Sequence, residues 1–283
     1  LSRRGRSSLA RIARGRYSYI AMKVSGIGRV IFWGGGSLWI GQAIAPAQLH
    51  RHHAIQVCIG FDGPIQFRGR TDAPWISYGG ALIAPDLAHE FRAPGRQVGN
   101  ILFAPETPIG QALLERYSND SIARIPDGLA ADVSAGLKTA WAAGAGDDDL
   151  ASHAQALLNR LAGTASARHR ADPRILKSID RISHHLDGPL RLADVAAVAG
   201  LSEGRFRHLF VAETGIAFRP YILWTRLNRA LELGFGGTTW TEAAHAANFS
   251  DQAHLIRTCR RMLGLVPTSL RIDITAAEQK IPV

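Results

Sequence analysis

The 283-residue chain is poor in the residues that carry most covalent and metal chemistry. It has two cysteines, Cys58 and Cys259, far apart and at no metal or redox spacing. That excludes a zinc-ribbon or disulfide scaffold and predicts a reducing, cytoplasmic setting. No apolar run approaches the ~20 residues a membrane helix needs, so no membrane role is expected. A Gly-rich phosphate loop, a nucleophile elbow and a carboxylate pair at defined spacing are also missing, and no catalytic residue is assigned. Acidic residues are absent from residues 1–22, which carry six Arg.

That short segment distorts the global charge. The net charge is +10, yet residues 23–170 balance 13 basic against 12 acidic residues and residues 171–283 balance 14 against 11. More than half of the excess therefore sits in residues 1–22, and overall basicity is weak evidence of a nucleic-acid partner. The segment reads as a basic, disordered extension, as a phosphate-touching arm, or as sequence upstream of the natural start at Met22.

Residues 23–106 read as short strands between turn residues, among them RVIFW (29–33), SLWIGQAI (37–44), AIQVCIGF (54–61), PIQFRGR (64–70), ALIAP (81–85) and VGNILFAP (98–105). Regular short strands with Gly/Pro punctuation favour a sandwich or barrel. Residues 107–162 change character, with Ala/Leu-rich helical spacing at 108–118, 129–143 and 149–162. GTASARHRADP (163–173) reads as a linker, and 174–271 as helical almost throughout.

The informative feature is an internal repeat. LADVAAVAGLSE (192–203) and WTEAAHAANFSD (240–251) align at an offset of 48, with Asp194 opposite Glu242, Ala196 opposite Ala244, Gly200 opposite Asn248 and Ser202 opposite Ser250. Each copy predicts a small-residue helix, a tight turn, an N-cap Ser and a second helix. Asn248 can supply the left-handed turn that Gly200 supplies in the first copy. Thr239-x-x-Glu242 is a capping-box pattern, and Gly215 and Gly264 stand where the second helices should end. Ala196 and Ala244 allow close helix crossing, as a helix-turn-helix requires. The units are expected at about 192–215 and 240–264.

VAAVAGLSEGRFRHLFVAETG (195–215), RPYILWTRLNRALEL (219–233) and ANFSDQAHLIRTCRRMLGLVPTSLR (247–271) together resemble the DNA-binding domain of the AraC/XylS family of bacterial transcription regulators. The resemblance implies two helix-turn-helix units bridged by a long helix at about 218–233, within a DNA-binding domain of residues 174–283. It implies base reading by Gly204, Arg207, His208, Gln252, His254 and Arg257. It implies phosphate contacts from Ser202, Arg205, Ser250, Arg260 and Arg261. Gly234, Gly236 and Gly237 after the bridging helix look looser than the family pattern.

The N-terminal half resembles, more faintly, the cupin-like sensor domain that many members carry. The fold class expected is therefore α+β in two domains: a cupin-like β-barrel with a helical hairpin, then an all-α double helix-turn-helix. HRHHAIQ (50–56) and PDLAH (85–89) carry that resemblance, with Gln56 where a cupin metal site has a carboxylate. His52, Gln56 and His89 are candidates for an effector pocket; His50, His52 and His89 are candidates for a divalent metal; plain structural histidines are the third reading. No cofactor is expected. The implied function is a sequence-specific, effector-responsive regulator, an activator by family habit. Its expected partners are promoter DNA, an effector of unknown identity, RNA polymerase and a second copy through 107–162. The alternative is a metal-dependent cupin-type enzyme, or a redox or metal sensor, fused to a DNA-binding domain.

Overall fold

A computed structural model describes residues 25–117, 122–163 and 171–272. The expectations for residues 1–22 and for most of the 163–173 linker lie outside these residues. The order is β1 (Gly26–Trp33), β2 (Gly36–Ala43), β3 (Ala47–His50), β4 (Ile55–Gly60), β5 (Ile65–Arg68), β6 (Ile76–Tyr78), β7 (Gly80–Ile83), β8 (His89–Arg92) and β9 (Gln97–Phe103). Then follow α1 (Pro108–Tyr117), β10 (Ala123–Ile125), α2 (Asp127–Ala142), α3 (Asp147–Ala162), α4 (Pro173–Ser183), α5 (Leu192–Val198), α6 (Glu203–Thr214), α7 (Phe218–Phe235), α8 (Trp240–Ala246), α9 (Gln252–Leu263) and β11 (Leu270–Ile272).

The strands form two sheets rather than a visibly closed barrel: a seven-stranded one in the order β10-β7-β4-β9-β2-β1-β11, and a four-stranded one in the order β3-β8-β5-β6. Strand β4 shows how the sequence builds them. Its side chains alternate faces, so Ile55, Val57 and Ile59 pack with Leu137, Leu150, Leu157 and Leu161 of the α2–α3 hairpin on the outer side. Cys58, by contrast, points inward with Phe67, Tyr78 and Ile83, into the space between the sheets. Both faces of β4 are buried, which is why it reads as an apolar run broken only by Gln56.

The helical region divides unequally. The first unit has its own core, in which Phe206 and Phe210 of α6 are fully buried against Phe218 and Tyr221 of α7 and Val195 and Ala196 of α5. The second unit shares its core with the sheets: Leu255, Cys259 and Leu263 of α9 and Trp224 and Leu227 of α7 cluster with Ala54 and Leu102. Strand β11, which follows α9, pairs parallel to β1, placing Leu270 beside Gly26 and Ile272 beside Gly28. The second unit is thus stitched to the sheet, and the first hangs from it through α7.

Two local expectations need correcting. The N-cap of α9 is Asp251, not Ser250: the Asp251 carboxylate accepts from the His254 N–H at 2.7 Å, and a carboxylate caps with charge as well as geometry. Of the glycines at the end of the bridging helix, Gly234 is packed rather than loose, while Gly237 has open space around it. Helix α7 runs on through Gly234, whose missing side chain admits the Trp240 ring; a Cβ there would lie 2.2 Å from it.

Candidate nucleic-acid interface and sensor pocket

Each unit is a helix, a turn and a second helix. In the first, Gly200 makes the left-handed turn and Ser202 is the N-cap of α6, although its hydroxyl makes no capping bond. In the second, Asn248 adopts φ 57° at the same place, and Thr239 and Glu242 form the reciprocal capping box that starts α8. Gly215 and Gly264 both end their helices in the left-handed conformation.

The outward face of α6 carries Gly204, Arg205, Arg207 and His208, all exposed. Arg207 is held by Glu203 one turn earlier, at 3.3 Å, an exposed pair of the kind that contributes little and exchanges readily for another anion. A Cβ on Gly204 would meet nothing within 4 Å, so no packing demands glycine there and its smoothness leaves the helix backbone open. On α9, Arg257, Arg260 and Arg261 are exposed and make no salt bridge among the described residues. Its polar residues are more constrained. Gln252 accepts from the Thr241 hydroxyl at 2.9 Å, and His254 lies back against Ser250 (3.3 Å) and the Phe249 ring (5.1 Å between centroids). The two helices differ accordingly: on α6 the exposed Arg207 is paired with Glu203, whereas on α9 arginines without a salt bridge among the described residues stand beside the tethered Gln252 and His254.

The second constellation lies between the sheets. His50 on β3, His52 just after it and His89 on β8 bring one ring nitrogen each to within 4.8 Å of one another. Their backbone bonds fix the tautomers. Nδ1 of His50, His52 and His89 faces the carbonyl oxygens of Gln48 (2.7 Å), Ala54 (3.0 Å) and Leu87 (2.9 Å), and a carbonyl can only accept. Each Nδ1 therefore carries the hydrogen, and three Nε2 lone pairs converge. The Gln56 side chain sits 3.0 Å from two of them, those of His52 and His89. Two lone pairs need donors, so the Gln56 amide presents its NH2 to them. Burial lowers the pKa of all three rings, His50 to about 3, with the neighbouring imidazoles adding repulsion. Near neutral pH the cluster is uncharged.

A cavity of about 120 Å³ opens beside this cluster, lined by His50, His52, Gln56 and Asn100 and closed by Leu265 and Leu270 from the helical region. Asn100 Oδ1 is buried there without a partner. Arg29, whose backbone also lines the cavity, is committed elsewhere: its guanidinium binds Asp147 (2.9 Å) and the Ala145 carbonyl. Trp224 of α7 stacks on His52 at 5.7 Å, so the cluster touches the helical region directly.

Two junction contacts had no signal in the sequence. Glu106 is buried, accepting from the Tyr221 hydroxyl at 2.7 Å and from His53 Nε2 at 3.3 Å. Burial pushes its pKa up, but the His53 and Tyr221 bonds prevail and hold it below the ordinary carboxylate value. At the other end of the interface, the Gly264 carbonyl accepts from the Gln48 N–H at 2.8 Å, tying the end of α9 to β3. The first pair is separated by 115 residues, beyond the reach of any local pattern. The only hint was the doublet His52-His53, whose first ring meets the cluster and whose second meets Glu106.

Residues 195–272 match the family model described as a helix-turn-helix domain. The C-terminal region is a helix-turn-helix domain. The chain is similar to a probable transcriptional regulator, LumQ, of Photobacterium leiognathi, with 30% identity over 94 residues. That match covers 33% of this chain and 38% of the relative, so the chain spans little more than a third of LumQ. The fold is similar to that of ToxT from Vibrio cholerae, with a TM-score of 0.54 at 10% identity over 82% of this chain and 95% of that one. A ToxT structure with bound unsaturated fatty acid aligns comparably: TM-score 0.53, 8% identity, 83% of this chain and 95% of that one. At such identities the likeness is one of fold. It extends through both the sheets and the helical region. No helix among the described residues is long and apolar enough to cross a membrane.

Proposed function

We propose that this chain is a cytoplasmic, sequence-specific and effector-responsive transcription regulator, with no enzymatic activity of its own. One observation carries the reading: a single chain presents two helix-turn-helix units, each with an exposed basic second helix. Residues 23–162 act as the sensor and 174–283 as the DNA-binding part. Helices α6 and α9 enter successive major grooves, about one helical turn apart. Gly204, Arg207, His208, Gln252, His254 and Arg257 face base edges, where Arg can bond guanine bidentately and Gln adenine. Ser202, Arg205, Ser250, Arg260 and Arg261 hold phosphates and so fix register. The hairpin within 107–162 pairs two copies, and the DNA-bound dimer recruits RNA polymerase as an activator.

The effector occupies the sandwich cavity against His52 and Gln56, with His89, bonded to Gln56, outside its lining. The polar end of that cavity is a set of neutral imidazole nitrogens, with the Arg29 guanidinium already matched. It therefore suits an uncharged ligand that carries hydrogen-bond donors on an apolar body. ToxT, of similar fold, takes an unsaturated fatty acid, which supports a small apolar ligand as the class. The cavity is walled partly by Leu265 and Leu270, so occupancy bears directly on the position of α9.

A second reading rests on the three converging Nε2 atoms. Three neutral imidazoles suit zinc or a similar divalent ion, with His50, His52 and His89 as ligands, and a bound ion would serve as a Lewis acid or as a sensed species. No carboxylate completes the cluster, which weakens the fit. Elemental analysis separates the readings. Stoichiometric metal lost on His52→Ala and His89→Ala favours the metal site; metal-free protein that binds DNA specifically removes the enzyme. The main reading is tested by operator selection from random sequence, followed by binding at several salt concentrations. Affinity should fall steeply with salt, and loss of sequence preference in Arg207→Ala should accompany it. Salt-insensitive or sequence-blind binding would reject the proposal.

A further inference from the structure

A larger cavity, of about 560 Å³, lies where the end of the sheet meets α4 and α7. Trp33, His53 and Glu106 line one side, and Tyr221, Trp224 and Asp187 the other. Its chemistry differs from that of the sandwich pocket. Two indoles and a phenol offer π faces, which attract cations. The charges point the same way. Arg229, the one arginine on this wall, is matched to Glu232 at 2.8 Å, and the His184 ring to Asp180 at 3.4 Å. Glu106 and Asp187 remain, the first buried and the second exposed with no salt bridge among the described residues. His53 adds an unmet requirement. Its Nε2 donates to Glu106, and its Nδ1 is buried without a hydrogen-bond partner among the described residues, on a side chain 2% exposed. A polar group of a bound molecule would satisfy it.

We propose that this interdomain cleft binds a small organic cation, a primary amine on an aromatic body, with its ammonium against Glu106 and Asp187 and its ring against Trp33 and Trp224. An anion is disfavoured, because it would face the Glu106 and Asp187 carboxylates beside an Arg229 already paired with Glu232. The site is separate from the sandwich pocket and stands whether or not that pocket holds an effector. Its walls come from both parts of the chain, so the bound amine strengthens the docking that the Glu106–Tyr221 bond maintains.

The test is calorimetric titration of the full chain with phenethylamine, and with 3-phenylpropionate as a comparable acid. The amine should bind about tenfold or more tightly than the acid, and Glu106→Gln and Asp187→Asn should each weaken it about three- to tenfold. Asp187→Asn alters an exposed residue, so it reports even where Glu106→Gln disturbs folding. Asp72→Asn, at an exposed residue between β5 and β6 outside the cleft, should leave amine binding unchanged. Equal binding of acid and amine, no saturation by about 10 mM amine, or unchanged amine binding in Asp187→Asn would each overturn the proposal.

Discussion

The join between α9 and β3 yields a paired test that isolates an interdomain contact from a local one. Gly264 and Gly215 both end recognition helices in the left-handed region, at φ 68° and 74°. Alanine at either position bears the left-handed penalty, about 1–2 kcal/mol. Their surroundings differ. A Cβ on Gly215 would meet nothing within 4 Å, whereas one on Gly264 would lie 2.2 Å from the Gln48 oxygen and 2.6 Å from His50 Nδ1. The strand must move away, losing the Gln48 N–H bond to the Gly264 carbonyl, worth about 1 kcal/mol. Repacking the shared core adds about 1–3 kcal/mol. Gly264→Ala should therefore destabilise the chain by about 2–4 kcal/mol more than Gly215→Ala. Guanidinium unfolding followed by tryptophan fluorescence reads the difference. Equal losses from the two variants would refute the docking of α9 on the sheet.

Other expectations follow from the same contacts. Arg207→Ala should cost about 1–3 kcal/mol on the selected operator and relax one base preference, while Arg205→Ala should weaken all sequences alike and lower the salt slope by about one; quantitative competition binding distinguishes them. Tyr221→Phe removes the hydroxyl donor to buried Glu106 and should cost about 1.5–3 kcal/mol, read by chemical denaturation. Glu106 lies below its usual 4.5, so its stabilisation is complete above that pH and is lost as pH falls through the folded value; Glu106→Gln should flatten this part of the acid-unfolding curve. His50 and His89 are depressed from 6.5, so the fold is most favoured above that value and loses stability as pH drops. Between pH 7.5 and 5.5 the two should together remove about 3 kcal/mol, and unfolding curves at both pH values measure it.

The helix-turn-helix units were legible because their signals are local and occur twice. Asn248 in place of Gly200, the capping box at Thr239 and Glu242, and the terminal glycines each act within one turn of chain. The N-cap of α9 escaped because Ser250 and Asp251 are both capable caps one residue apart, and only geometry chooses. Strands β3, β6 and β8 span three or four residues, too few for alternation to show. His50, His52 and His89 were visible as a group, since two share a strand end and the third lies in a paired strand. Strand β11, the Gly264 contact and the Glu106–Tyr221 bond join residues more than 100 positions apart. Nothing local encodes them, and the asymmetry between the units was therefore hidden.

The central claim is that one chain reads DNA with two helices. Hydroxyl-radical footprinting of the full chain on its selected operator tests it most directly. Each bound chain should protect two backbone patches about one helical turn, some 10 base pairs, apart. Arg207→Ala should weaken the patch under α6 while leaving that under α9. One patch per chain, or protection at unrelated positions, would contradict the account.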